Sequence, residues 1–303
     1  MQNFQNEHSY KRFILDFLSG GVAGAISKTV AAPIERVKLL MQTGTENLKL
    51  TRPYKSIAEC FTRCIKEEGV LSLWRGNSVN VIRYFPTQAL NFSFKEKFNS
   101  IFNPFDPKKQ KSLFFWGSIL SGGLAGCATI CFVYPLDFTR TRLSVDLGRQ
   151  KSDRQFTGII DCMKKVYKTD GIRGTYQGFG MCLFGIFVYR GLYFGTYDSG
   201  KQMLLPLDKK DNLIWKFFFA QSVVIFSETV SYPTDTVKRK MMMQSARGGQ
   251  VLYKNSIDCC IQMYQKFGVK SFYIGNMSNI IRSFGSSLCL VLYDEIREYS
   301  LKY

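Results

Sequence analysis

The chain has 303 residues, a formal net charge of +18 and 46% hydrophobic residues, with a mean hydropathy of -0.08. The basic charge predicts an anionic partner, and leaves nucleic acid, acidic lipid headgroups and a polyanionic small molecule open. Nine dispersed cysteines and one histidine, His8, exclude a disulfide framework and a zinc site, and we expect neither a metal nor a cofactor.

The amino-terminal segment predicts a polar tail followed by a first membrane span. Residues 1–12 lack the apolar run and cleavage site of a secretory signal, so we expect targeting information to be internal. Residues 13–32 are apolar and just long enough to cross the hydrocarbon layer. Their small residues, Gly21 and Gly24 among them, would let neighbouring helices approach closely.

The first span runs into a short motif that recurs twice. Pro33, Glu35 and Lys38 form the pattern proline, any residue, acid, two residues, base, which returns at Pro135 and at Pro233. Each copy lies inside a helical pattern, where proline removes a backbone donor and bends the helix.

Other landmarks keep the same register after each motif, which indicates a threefold repeat. They are a cysteine (Cys60, Cys162, Cys259), an aromatic residue two positions before a glycine (Gly76, Gly178, Gly275) and an aromatic-acidic end. The chain therefore divides into a tail 1–12 and repeats 13–105, 110–208 and 210–303 of one structural domain.

Each repeat predicts two spans with an amphipathic segment between them. The further spans cover 77–98, 113–134, 180–204, 213–232 and 276–297, and the amphipathic segments cover 54–67, 156–168 and 253–267. These basic segments are typical of interfacial helices, although solvated surface helices would have the same pattern. The fold class is an all-α membrane protein with six transmembrane helices in three pseudo-symmetric repeats.

The three motifs resemble those of the mitochondrial carrier family over nearly the whole chain. Residues 238–243, read as KRKMMM, are similar to the RRRMMM signature of its ADP/ATP carriers, from which they differ by two Arg-to-Lys changes. The resemblance implies the carrier fold and exchange of ADP for ATP by alternating access in the mitochondrial inner membrane. It also implies cardiolipin at elements such as 74–76 and 156–158.

The resemblance assigns the motif charges to a matrix gate of three ion pairs. The pairs are Glu35 with Arg140, Asp137 with Lys238 and Asp235 with Lys38. Independent surface ion pairs of little energy are the alternative. A cytoplasmic gate is expected from Glu96, Asp198, Lys201, Asp294 and Arg297, weakened because Asn99 stands where the family usually has a cation.

Equivalent positions in the repeats locate the substrate site. Seven residues after each landmark glycine come Arg83, Gly185 and Arg282. An arginine facing lipid at that depth is unfavourable, so both should face a watery cavity, where guanidinium groups bind phosphate. Gly185 with Tyr189 predicts an apolar slot for adenine, or else serves helix packing alone. The resemblance extends this site to Lys28, Arg83, Asn91, Lys95, Gly185, Ile186, Tyr189, Ser231, Lys238, Arg239 and Arg282.

One acid departs from the expected site. Lys28 lies five residues before its motif proline, and Ile130 and Glu228 are its equivalents. If Lys28 lines the cavity, then Glu228 should as well, where it could pair with Lys28, lower the affinity for a polyanion, or accept a proton. Our hypothesis is that it tunes the affinity.

Other functions fit the sequence less well. An enzyme is disfavoured because no phosphate-binding GxxxxGK[ST] loop and no histidine beside a nucleophile is present. Nucleic-acid binding would leave the six spans unexplained. The remaining alternative is a carrier-fold protein with altered nucleotide specificity or with a structural role in a larger inner-membrane complex.

Overall fold

The computed structural model describes residues 2–50, 52–102, 104, 110–150, 152–203, 213–245 and 251–285. Within them the regular structure is helical, and no strand occurs. Each repeat contributes a long helix, a short helix and then a further helix, which is long in the first two repeats and is described over ten residues in the third. The helices are α1 (Gln2–Gln42), α2 (Ile57–Glu68), α3 (Asn77–Phe102), α4 (Lys111–Val145), α5 (Ile159–Thr175), α6 (Phe179–Met203), α7 (Leu213–Met242), α8 (Ser256–Phe267) and α9, described over 276–285.

The first long helix of each repeat continues well past its motif proline. These helices end at Gln42, Val145 and Met242, beyond the predicted ends of the spans. The extensions are stable because they are buried between repeats, with Val37 and Val237 at most 1% exposed. At the other end, α1 begins at Gln2, so the backbone of the predicted tail is continuous with the first span.

Among the described helices, Ser112–Val145 is the one that is both long and apolar enough to cross a membrane by composition. The other long helices carry charged residues, such as Arg83 in α3 and Glu228 in α7. This agrees with spans that present one face to lipid and another to a polar interior.

The amphipathic segments form α2, α5 and α8, and a side-chain cap starts both α2 and α8. Ser56 and Asn255 accept hydrogen bonds from the amides of Glu59 and Asp258. Asp258 in turn accepts from the amide of Lys254, and this bond lowers the pKa of its carboxyl group. Such capping boxes explain why α2 and α8 each begin three residues after the predicted start.

The landmark residues make equivalent contacts in all three repeats. Cys60, Cys162 and Cys259 are 0% exposed, each in a separate apolar cluster under its short helix. These three landmark cysteines are therefore packing residues.

Three landmark glycines hold each repeat against the next one. Gly76, Gly178 and Gly275 have φ of 81°, 80° and 84°. A Cβ at these positions would lie 3.1, 2.8 and 3.3 Å from a backbone carbonyl of the following repeat, at Arg140, Lys238 and Lys38. Since the third contact returns to α1, the repeats form a closed ring.

Buried cations reinforce the same three boundaries between repeats. Arg36 donates to the carbonyl of Ser144 at 3.0 Å, Arg142 to that of Met243 at 3.1 Å, and Lys240 to the carboxylate of Glu46 at 2.9 Å. These contacts lie at the end of the bundle that carries α2, α5 and α8, which we call the motif end.

Candidate functional site

A ring of ion pairs closes the interior at the motif end. Each acid of a motif contacts the base of another repeat. Glu35 is paired with Arg140, Asp137 with Lys238 at 2.8 Å, and Asp235 with Lys38 at 2.9 Å. This is the pairing that the resemblance implied, and its side chains are largely buried rather than on the surface.

Asp137 is the most connected acid of the ring. Besides Lys238, it contacts Arg239 at 3.4 Å and Arg83 at 3.2 Å, and its side chain is 4% exposed. Arg239 also contacts Asp235 at 3.4 Å. Arg239, which the resemblance implicates in substrate binding, therefore lies within the ion-pair layer and is not in the lining of the inner cavity.

A second set of side chains, which was not predicted from the motifs, supports the ring. Asn80 donates to Glu35 at 3.1 Å, Lys238 contacts the sulfur of Cys182 at 3.4 Å, and Lys38 donates to Asn279 at 2.8 Å. The three supporting residues, Asn80, Cys182 and Asn279, each lie four residues after a landmark glycine. The repeat register that identified Arg83 and Arg282 would have found them.

An inner cavity of about 290 Å³ lies directly above the ring. Most of the predicted substrate residues line it, together with Glu228, Asn279 and the ring residues Lys38 and Asp235. The predicted residues in its lining are Gly185, Ile186, Tyr189, Ser231, Lys238 and Arg282.

The two predicted phosphate-binding arginines face the interior. Arg83 contacts Asp137 and its side chain is 21% exposed, while that of Arg282 is 20% exposed and lines the cavity. Lys28 is half-buried on α1 and interacts electrostatically with both arginines. In the described part of the chain it forms neither a hydrogen bond nor an ion pair. Arg282 thus lines the inner cavity, whereas Arg83 contacts the ring and Lys28 is within electrostatic reach of both arginines without belonging to that lining.

Gly185 combines the two interpretations that the sequence left open. A Cβ there would lie 2.5 Å from Oγ1 of Thr234, so α6 and α7 need a glycine to approach this closely. The same residue lines the cavity beside Ile186 and Tyr189. Packing accounts for the glycine, while its apolar neighbours remain available to a planar ring.

Glu228 lines the inner cavity, but it does not pair with Lys28, the partner considered from the sequence. It contacts Arg282 at 2.9 Å and accepts from the amide of Asn279 at 2.8 Å. The acid therefore covers Arg282, a predicted phosphate-binding group of its own repeat, rather than Lys28.

A wider cavity of about 1170 Å³ lies toward the opposite end. Asn91, Lys95, Glu96 and Asn99 line it, and Tyr189 borders both cavities. The side chains of Asp198 and Lys201, and residues Asp294 and Arg297, lie outside the described residues. The cytoplasmic gate, including its weakening at Asn99, therefore stays a prediction.

The KRKMMM segment acts in packing and charge pairing. Lys238 and Arg239 belong to the ring, while Lys240 joins α7 to Glu46 of the first repeat. The three methionines that follow are at most 5% exposed. The two lysines keep the positive charges that these contacts require.

Comparison with known proteins gives one consistent result. The model of the family described as mitochondrial carrier protein matches residues 9–105, 111–207 and 209–303. The chain is 50% identical to ADP/ATP translocase 3 of Bos taurus over 290 residues, 94% of this chain and 97% of that protein. It is also 50% identical to ADP/ATP translocase 2 of Rattus norvegicus over 292 residues, 95% and 98% of the two chains, and to ADP/ATP translocase 4 of Homo sapiens over 287 residues, 94% and 90%.

Proposed function

Because the chain belongs to the mitochondrial carrier family, we propose that it is an ADP/ATP antiporter of the mitochondrial inner membrane. It is a multi-pass transporter rather than an enzyme, and no covalent bond is made or broken. The observation that carries this proposal is the position of Arg282 in the lining of an interior cavity beside a closed ring of ion pairs, with Arg83 in contact with that ring and Lys28 within electrostatic reach of both arginines.

The cations bind the phosphates of the nucleotide. Guanidinium groups form paired hydrogen bonds with phosphate oxygens, and Lys28 adds a mobile point charge. The apolar wall at Gly185, Ile186 and Tyr189 accepts the adenine ring. A nucleotide placed in this way spans the cavity from α1 to α9.

Binding is coupled to the ring through Arg83. This arginine shares Asp137 with Lys238 and Arg239, so a phosphate that draws Arg83 away removes one of the three cations that hold the acid. The closed ring is thereby weakened when substrate is present. A carrier needs this property, since only differential binding shifts a conformational equilibrium.

Cardiolipin binds at the motif end, between repeats. Gly76 packs tightly on α4, whereas a Cβ at Gly158 would meet no atom within 4 Å, which leaves space beside the first turn of α5. The free amides of a helix start are suited to a phosphate headgroup.

Liposome exchange tests the proposal. Purified protein should take up labelled ADP only when ADP or ATP is inside, and Arg83→Gln and Arg282→Gln should each abolish uptake while Glu67→Gln, an exposed site on α2, does not. Absence of exchange by protein that melts cooperatively would refute transport. Recovery of that inactive protein in a stable larger complex would favour the structural role instead.

A further inference from the structure

Glu228 is paired with Arg282, a predicted phosphate-binding group of the inner cavity. Its Oε1 lies 2.9 Å from Nη2 of Arg282, and its Oε2 lies 2.8 Å from Nδ2 of Asn279. The carboxylate is 17% exposed and the guanidinium 20% exposed, so solvent screens this pair only partly. A charge-assisted contact of this kind must be broken or shared before a phosphate reaches Arg282.

The three cations of the site differ in the ion pairs that they must break when a phosphate binds. Arg83 leaves an acid that keeps two other cations, because Lys238 and Arg239 still contact Asp137. Lys28 has no partner in the described residues. For Glu228, the described residues provide one cation, Arg282, and one neutral amide.

The repeat register shows the same asymmetry. Positions five residues before the motif prolines are Lys28, Ile130 and Glu228, which are a cation, an apolar residue and an anion. One position therefore attracts a polyanion while the equivalent position of the third repeat repels it. Tyr189 borders the same space.

We propose that Glu228 is a specificity-determining residue that competes with the substrate's phosphates for Arg282 and selects against the more highly charged nucleotide. This rests on the proposed function. A bound phosphate must either share Arg282 with the carboxylate of Glu228 or leave that carboxylate without its cation. In both cases the phosphate and the carboxylate repel each other, and this repulsion grows with each charge on the ligand. Glu228 thus shifts the relative affinity toward ADP and away from ATP, compared with a site that has the three cations alone.

The size of the effect follows from the contact. Charge-assisted hydrogen bonds correspond to about ten- to a hundredfold in affinity, and a water-filled cavity places the change at the low end. We expect Glu228→Gln, which keeps the shape and the bond from Asn279, to lower KM for ATP about tenfold. KM for ADP should fall about threefold, because one fewer charge meets the acid.

The experiment measures KM and Vmax for ADP and ATP, each exchanged against internal ADP, in liposomes. Glu228→Asp keeps the charge and should keep the preference for ADP, whereas Glu228→Gln should lose most of it. Glu67→Gln removes the same charge from an exposed pair on α2 and should change neither KM. The melting temperature of each variant, and nucleotide-induced shifts in it, confirm folding and report binding without transport.

The outcomes are distinguishable. Unchanged KM values for Glu228→Gln, or an equal change for Glu228→Asp, would overturn the inference while the exchange activity stands. No exchange by the wild-type protein would refute the proposed function. A larger ATP-induced melting shift in Glu228→Gln would still support competition for Arg282 in that case, and an identical shift would overturn it.

Discussion

Replacing Asp137 with Asn should weaken the ion-pair ring more than any other single acid-to-amide change in it. The side chain is 4% exposed and has contacts with Lys238, Arg239 and Arg83. Removing one partner of a buried ion pair costs about 3–5 kcal/mol, because the remaining charges are left uncompensated. For a chain of this size we expect a fall of roughly 6–10 °C in melting temperature.

Two other acid-to-amide changes should cost less stability than Asp137→Asn. Asp235 is 26% exposed, so water compensates part of its loss, and Asp235→Asn should cost only about 1–2 kcal/mol. Glu67→Gln removes a pair with 55% exposure at the acid and should cost below about 0.5 kcal/mol.

The assay is thermal unfolding of purified protein in detergent, followed by nucleotide exchange in liposomes. A weaker ring should also raise exposure of the cavity at the motif end, measured by alkylation of Cys182, which contacts Lys238. If Asp137→Asn were as stable as Glu67→Gln and left Cys182 equally protected, then the ring would not hold this end closed.

Three further changes test the architecture and the opposite end. Gly178→Ala should destabilise the chain by about 2 kcal/mol or more, because it combines positive φ with a carbonyl 2.8 Å from the new methyl group; Gly180→Ala, with open space around it, is the matched control in melting experiments. Lys240→Met should lower stability by about 3–5 kcal/mol by leaving the carboxylate of Glu46 buried without its cation, whereas Lys240→Arg should be tolerated, and equal melting temperatures for the two would contradict the assigned contact. Asn99→Lys should strengthen closure of the opposite end, seen as slower alkylation of a cysteine introduced in the wide cavity, and unchanged alkylation would remove the idea of a weakened outer gate.

The repeat made the main elements of this fold predictable. Spacing alone gave the depth of Arg83 and Arg282, because equivalent positions of a pseudo-symmetric bundle lie at the same level. It could not give the ends of α1, α4 and α7, since helix formation beyond a proline depends on tertiary burial.

The contacts between side chains of different helices also could not be predicted from the sequence. The sequence places Glu228 at the level of Lys28, yet the acid contacts Arg282 and Asn279. Periodicity shows which face of a helix a side chain occupies, but the partner that it reaches depends on rotamers and on helix separation. The close approach at Gly185 to Thr234 could not be read from the sequence for the same reason.

The central claim is that Lys28, Arg83 and Arg282 hold the phosphates of a nucleotide in the interior of the bundle. The most direct test is an experimental structure of the protein with ADP bound. The account predicts phosphate oxygens about 2.7–2.9 Å from both guanidinium groups, with the carboxylate of Glu228 displaced from Arg282. Nucleotide bound elsewhere, with the pair between Glu228 and Arg282 intact, would contradict it.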